Sequence, residues 1–195
     1  SLRARNNEFA KLDVLEQGIK EAHERNKKFF LTVNTLPHNS KLKTFVSDME
    51  PLIAMKPDAL IMADPGLIMT VREKWPEMPI HLSVQANTTN YWGVKFWQNI
   101  GVERIILSRE LSMEEIAEIR QECPDIELEV FIHGALCIAY SGRCLLSGYF
   151  NHRDPNQGTC TNSCRWDYKV HNAVESDAGD AQLLQGFNFE KAQEE

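Results

Sequence analysis

The sequence predicts an α/β protein: a partial TIM-type (β/α) barrel with parallel strands, followed by a cysteine-rich metal-binding loop region. Three observations predict it. Five short runs of aliphatic and β-branched residues recur along the chain, most gaps between them carry a helical pattern, and every run ends in polar residues. The composition agrees, with 43% hydrophobic and 25% charged residues in a chain of 195, the balance of a globular domain with a real core.

The elements follow in order. Leu12, Leu15, Ile19 and Ala22 form an amphipathic stripe before the first predicted strand, Lys28–Val33. Leu42, Phe45, Val46 and Met49 recur at helical spacing and predict a second helix. The other predicted strands are Ala59–Ala63, Ile80–Val84, Arg104–Ser108 and Leu128–Ile132, apolar enough for a parallel sheet covered on both faces. A helix is expected from near Thr89 to a C-terminal cap at Gly101. Another, over Ser112–Cys123, opens with Ser112 and Glu115 in capping-box spacing and puts Ile116, Ile119 and Cys123 on one face.

Strand–helix alternation of this kind means a parallel sheet with right-handed crossovers, in a doubly wound fold or a barrel. No glycine-rich phosphate turn follows any strand. The strand ends instead carry Asn34, Asp64, Gln85 with Asn87, Ser108 with Arg109, and His133. A barrel displays such a ring at its catalytic rim, so Asp64, Gln85, Arg109 and His133 are candidate catalytic residues. For any one of them, a polar residue that merely ends a strand is the simpler explanation; the repetition favours function. Five strands do not close an eight-stranded barrel, so at least one strand is expected before Ser1 and others after Val170. The expected organisation is a partial barrel over 1–133, a cysteine-rich cluster-binding segment continuous with it over 134–170, and a loosely ordered tail or fragment boundary over 171–195.

No stretch approaches the ~20 apolar residues of a membrane span, and ALIMADPGLIM is cut by Asp64, Pro65 and Gly66. No signal peptide is visible, and a cytoplasmic protein with no membrane partner is expected. The net charge of −7 argues against a generally sticky nucleic-acid binder. That charge is uneven. From His133 to Val170, Arg143, Arg153, Arg165 and Lys169 outnumber Asp154 and Asp167, a local basic patch suited to an anionic partner or simply a solvated loop.

Cys137, Cys144, Cys160 and Cys164 are spaced C-x6-C-x15-C-x3-C in a chain with 5 cysteines. Thiolate sulfur is a soft donor, and four such ligands suit zinc or an iron–sulfur cluster. Structural zinc usually has a tight knuckle at both ends, which the first pair lacks. Disulfides are out of place in a cytoplasmic α/β protein. Spacing alone leaves cluster, zinc and no metal open. Cys123 stands apart, on an apolar helix face where a small buried hydrophobe is the default. His133 and Cys137 would suit a nucleophilic dyad only if their segment were helical. Neither GxSxG nor HExxH occurs.

The run Glu129-Val130-Phe131-Ile132-His133-Gly134-Ala135-Leu136-Cys137, then Gly142-Arg143-Cys144-Leu145-Leu146-Ser147, resembles the signature of peptidase family U32, the collagenase-like proteins. SGYFNHRDPNQGTCTNSCRW, SLRARNNEF, DALIMADPGLIM, HLSVQAN, VKFW and ILSREL are similar to one branch of that family, associated with tRNA hydroxylation. The resemblance implies a TIM-type barrel and a 4Fe–4S cluster held by Cys137, Cys144, Cys160 and Cys164. It also implies formation of 5-hydroxyuridine at the wobble position of tRNA, with prephenate as a co-substrate or ligand. The family's peptidase label is the alternative, but a thiolate bound to a cluster is not free to attack an amide.

Inserting oxygen at a uracil carbon is redox chemistry that side chains do not perform alone, so a cofactor is expected. A wobble base lies in a single-stranded loop and can be splayed onto an aromatic ring. Tyr140, Tyr149, Phe150 and Trp166 lie near the cysteines for that role or for plain packing. Asn34, Asn87, Arg143, Arg153 and Arg165 are candidate substrate-binding residues, the arginines for phosphates or for a carboxylate such as prephenate's. The expected partners are tRNA, that small anionic metabolite, and the missing remainder of the barrel.

Overall fold

The five predicted strands form one parallel sheet, in the order of the chain. In the computed structural model the described residues are 11–134, 137, 139–157 and 159–168. The elements are α1 (Leu12–Glu24), β1 (Phe30–Val33), α2 (Asn39–Ala54), β2 (Ala59–Met62), α3 (Pro65–Lys74), β3 (Ile80–Leu82), α4 (Tyr91–Asn99), β4 (Arg104–Ile106), α5 (Met113–Glu122), β5 (Glu127–Glu129) and α6 (Leu146–Asn151). Two compact units divide the chain, Ser1–Cys164 and Arg165–Glu195. The opening SLRARNNEF and the tail expected over 171–195 lie outside the described residues.

One sheet face is covered by helices. Its rows, Leu31–Leu60–Ile80 and Val33–Met62–Leu82–Ile105–Leu128, follow directly from the strand register. Leu15 and Ile19 of α1, Phe45 and Met49 of α2, Ile68 and Val71 of α3, and Val94 of α4 join them in the core. Each fully buried aliphatic side chain there stabilises by about 1.5–3 kcal/mol relative to exposure. The predicted stripes are right in direction but slightly too wide, since Leu12 and Leu42 stay about half exposed.

The other face carries the row Thr32–Ile61–His81–Arg104–Glu127. Its members drift from the third residue of β1 and β2 to the first of β4 and β5. That drift is the stagger of tilted strands, the geometry from which a sheet curls. His81 is buried against the edge of Phe30, with ring centroids 4.6 Å apart. Burial, and then the Arg104 charge, push its pKa down to about 4, so it is neutral at pH 7.

Caps set the helix ends. The Ser112 hydroxyl accepts from the Glu115 amide at 3.2 Å, and the Glu115 carboxylate accepts from the Ser112 amide at 2.8 Å, the predicted capping box. Asp64 caps α3, its carboxylate accepting from the Leu67 amide at 2.9 Å, with Pro65 opening the helix. Gly101 follows α4 at φ 86°, the left-handed position expected of it.

The fifth strand needs correction. Leu128–Ile132 reads as a buried strand, yet β5 is Glu127–Glu129 and Ile132 is 93% exposed. The ladder ends because β4 turns away: the Leu107 amide donates to Glu129 O at 2.9 Å, but the Ser108 amide goes to Thr88 O at 3.1 Å. Val130, Phe131 and Ile132 are left without a neighbouring strand among the described residues.

Candidate functional site

At the C-terminal ends of the strands a cavity of about 240 Å³ collects residues from distant parts of the chain. Thr32 and Asn34 come from the end of β1, Val84 and Gln85 from the turn after β3, and Arg109 from beyond β4. Phe131, Cys137, Tyr140, Ser141, Gly142 and Cys144 enter from the loop after β5. Leu146, Ser147, Pro155 and Asn156 follow, and Cys160, Asn162, Ser163 and Cys164 complete the lining. All four predicted ligand cysteines therefore face one space, and all are free thiols. Cys123 is elsewhere, buried at the end of α5, where burial pushes its thiol pKa up.

Two sets of hydrogen bonds hold the cysteine segments. The loop carrying Cys137 and Cys144 is fixed to the rim through Ser141. The Asn87 amide donates to Ser141 O at 2.8 Å, and the Arg109 guanidinium donates to Ser141 Oγ at 3.1 Å and Ala139 O at 3.3 Å. Asn87 reaches that position from a left-handed backbone (φ 52°), which asparagine tolerates. Gly142 adopts φ 72°, a left-handed backbone that favours glycine, and a Cβ there would stand 2.9 Å from Leu36 Cδ1, so the leucine would have to shift.

The second set ties the Cys160–Cys164 turn to α6. Asn151 Nδ2 donates to Thr161 Oγ1 at 2.9 Å and to Ser163 Oγ at 3.2 Å. The Thr161 amide and hydroxyl both donate to Ser147 Oγ, at 3.2 and 3.0 Å. Asn156 Nδ2 donates to Cys144 O at 3.2 Å, and Gln157 bonds Leu36 O. Sequence reasoning misses Ser141, Ser147, Asn151, Thr161 and Ser163. The available signal is T-C-T-N-S-C, where small hydroxyl and amide residues flank each sulfur.

The remaining candidates divide. Asn34, Gln85 and Arg109 line the cavity, and Asn87 stands behind the loop. The side-chain oxygens of Gln85 and Asn87 are buried without a hydrogen-bond partner among the described residues. Asp64 is not in the lining, because its carboxylate caps α3. His133 is exposed and outside it too, so no His133–Cys137 dyad forms at the cavity. Arg143 and Arg153 are exposed and outside the lining, whereas Arg165 and Trp166 belong to the second unit. Tyr140 lines the cavity; Tyr149 packs edge-on against Phe150 at 5.1 Å.

The donor chemistry is selective. Among the described lining residues there is no carboxylate and no imidazole, only four thiols, neutral amides and hydroxyls, and one cation, Arg109. A set without hard oxygen anions does not suit magnesium, calcium or manganese. No three His, Cys, Asp or Glu side chains among the described residues converge closely enough for one metal ion. A single zinc needs that convergence. The ligands of a cubane stand further apart, because iron atoms separate the sulfurs, so thiols spread around one cavity fit a cluster.

A larger cavity, about 420 Å³, opens at the opposite ends of the strands between Lys28, Asp58, His81, Glu103, Arg104 and Glu127. Three of its charged groups are paired within the fold. Arg104 Nε donates to Glu127 at 2.7 Å, and Asp58 accepts from the Phe29 amide at 2.6 Å and meets His23 at 2.9 Å. The smaller sulfur-lined cavity, at the C-terminal ends of the strands, is the candidate site.

Comparison with known proteins agrees with this fold. The sequence profile of peptidase family U32 matches residues 1–193, and the chain belongs to that family. It is 66% identical over 179 residues to tRNA hydroxylation protein P of Escherichia coli, covering 92% of this chain and 39% of that protein. It is 34% identical over 167 residues to a 23S rRNA 5-hydroxycytidine synthase of Escherichia coli, covering 86% of this chain and 25% of that one. The solved structure of the U32 peptidase Mk0906 shares the fold at a TM-score of 0.56 with 16% identity, over 66% of this chain and 55% of that one. The chain thus spans about two-fifths of the length of the tRNA hydroxylation protein it matches.

Proposed function

We propose that this chain is the cluster-bearing part of an enzyme that hydroxylates the wobble uridine of tRNA to 5-hydroxyuridine. The observation that carries the proposal is the cavity at the strand ends that four free thiols line, with no carboxylate or imidazole among the described lining residues. Relatives named for tRNA hydroxylation and for 5-hydroxycytidine synthesis in rRNA give it its direction, since both names describe hydroxylation of RNA.

In this reading Cys137, Cys144, Cys160 and Cys164 hold a 4Fe–4S cluster. The cluster, when bound, supplies electron transfer, which no side chain in the cavity supplies. The protein's part is to hold the four sulfurs apart and in place, and to present Asn34, Gln85 and Tyr140 beside them. Amides at that position suit the hydrogen-bonding edge of a uracil, and the tyrosine ring suits stacking. Prephenate, a dicarboxylate, would find its complement in Arg109, the one cation among the described lining residues. The sheet, staggered and sequential, is read as five strands of a (β/α) barrel that further strands on either side complete.

Peptidase chemistry draws no support from the site. A thiol nucleophile needs a base, and His133 stands outside the cavity. Deletion of the gene, followed by mass spectrometry of tRNA nucleosides, tests the proposal. Loss of 5-hydroxyuridine, restored by the wild-type gene but not by one encoding Cys144→Ala, is expected. Unchanged 5-hydroxyuridine overturns the assignment.

A further inference from the structure

Arg109 is the only cation among the described residues lining a cavity with four thiols. No carboxylate among the described residues pairs with it. The adjacent Glu110 carboxylate is engaged instead by the Ser108 hydroxyl, which holds its pKa below the usual carboxylate range. The guanidinium spends its donors on the loop between Cys137 and Cys144, at Ala139 O and Ser141 Oγ. Asn87 holds the same residue through a different atom, Ser141 O.

We infer that Arg109 is a positioning residue with two roles, latching the Cys137–Cys144 loop to the sheet rim and, as a fixed positive charge, setting the reduction potential of the group those cysteines hold. The inference rests on the cluster reading above. A cluster ligated by four thiolates is anionic and gains one negative charge when it accepts an electron. A guanidinium beside the cluster favours the more negative state, so it raises the potential. Asn87 shares the latch without the charge. The two residues therefore separate position from electrostatics.

The test uses the full-length protein purified anaerobically, with dithionite as the electron source in a redox titration followed by EPR. Hydrogen exchange at residues 139–142 is read in parallel. Arg109→Gln should lower the ratio of reduced to oxidised cluster at a fixed potential roughly tenfold, a shift of about 59 mV to more negative values for one electron. It should also speed loop exchange. Arg109→Lys keeps the charge and loses the planar fork, so its potential should stay near wild type while loop exchange rises. Asn87→Gly keeps the left-handed backbone available and should likewise loosen the loop without moving the potential. A cluster-loaded Arg109→Gln protein with wild-type potential and wild-type loop exchange overturns the inference. Wild-type protein with no cluster defeats the cluster reading instead, and unchanged loop exchange in Arg109→Gln then overturns the latch by itself.

Discussion

Five cysteines of one chemistry are divided by their surroundings into two kinds. Cys123 ends α5 with its thiol buried and its pKa raised by that burial, whereas the other four line an open cavity. Thiolate is the reactive form, so burial makes a thiol slow. In metal-free protein, Cys137, Cys144, Cys160 and Cys164 should react with a maleimide well before Cys123, as mass spectrometry of timed samples will show. Cys123 labelling alongside the other four would contradict the packing described. This division is legible in the sequence, because Cys123 falls on an apolar helix face. The role of Asp64 is not. In a βα unit the residue after a strand is also the residue before a helix, and a carboxylate there serves equally as rim acid or as N-cap. Only the bond to the Leu67 amide decides it.

Among the elements, the loop after β5 holds the most consequence in the fewest residues. Gly142 is its pivot, with φ 72° and a Cβ position that Leu36 would have to move to admit. Gly142→Ala should cost about 1–2 kcal/mol from the left-handed backbone, before the clash with the leucine is added. Limited proteolysis between Cys137 and Cys144 checks this. Faster cleavage there with little change in the thermal transition of the sheet is expected, and unaltered cleavage would contradict it. Helices and strands are readable from periodicity and caps; Ser112 with Glu115 is the clearest case. The end of the fifth strand is not readable, since an apolar run states what a residue prefers and not whether a neighbour remains to pair with it. The hydroxyl network from Ser147 to Ser163 escapes for a related reason. Short polar side chains find partners through tertiary folding, and no sequence period announces them.

At the scale of the molecule, strand order decides where the site forms. Parallel strands that follow one another in sequence, with helices on one face, set every strand end on the same rim. That rim gathers Asn34, Gln85 and Arg109 beside the cysteines, three residues far apart in the chain. The sequence marks all of them as strand ends without showing which converge. His133 is marked equally and does not, because it lies beyond the point where β5 stops pairing.

The central claim is that the four thiols lining one cavity hold an iron–sulfur cluster. The most direct test is to count iron and acid-labile sulfide in anaerobically purified full-length protein and to record its visible spectrum. About four irons and about four sulfides per chain are expected with broad visible absorbance, lost on Cys137→Ala, Cys144→Ala, Cys160→Ala or Cys164→Ala and kept on Cys123→Ala. One zinc per chain with a featureless visible spectrum would contradict it.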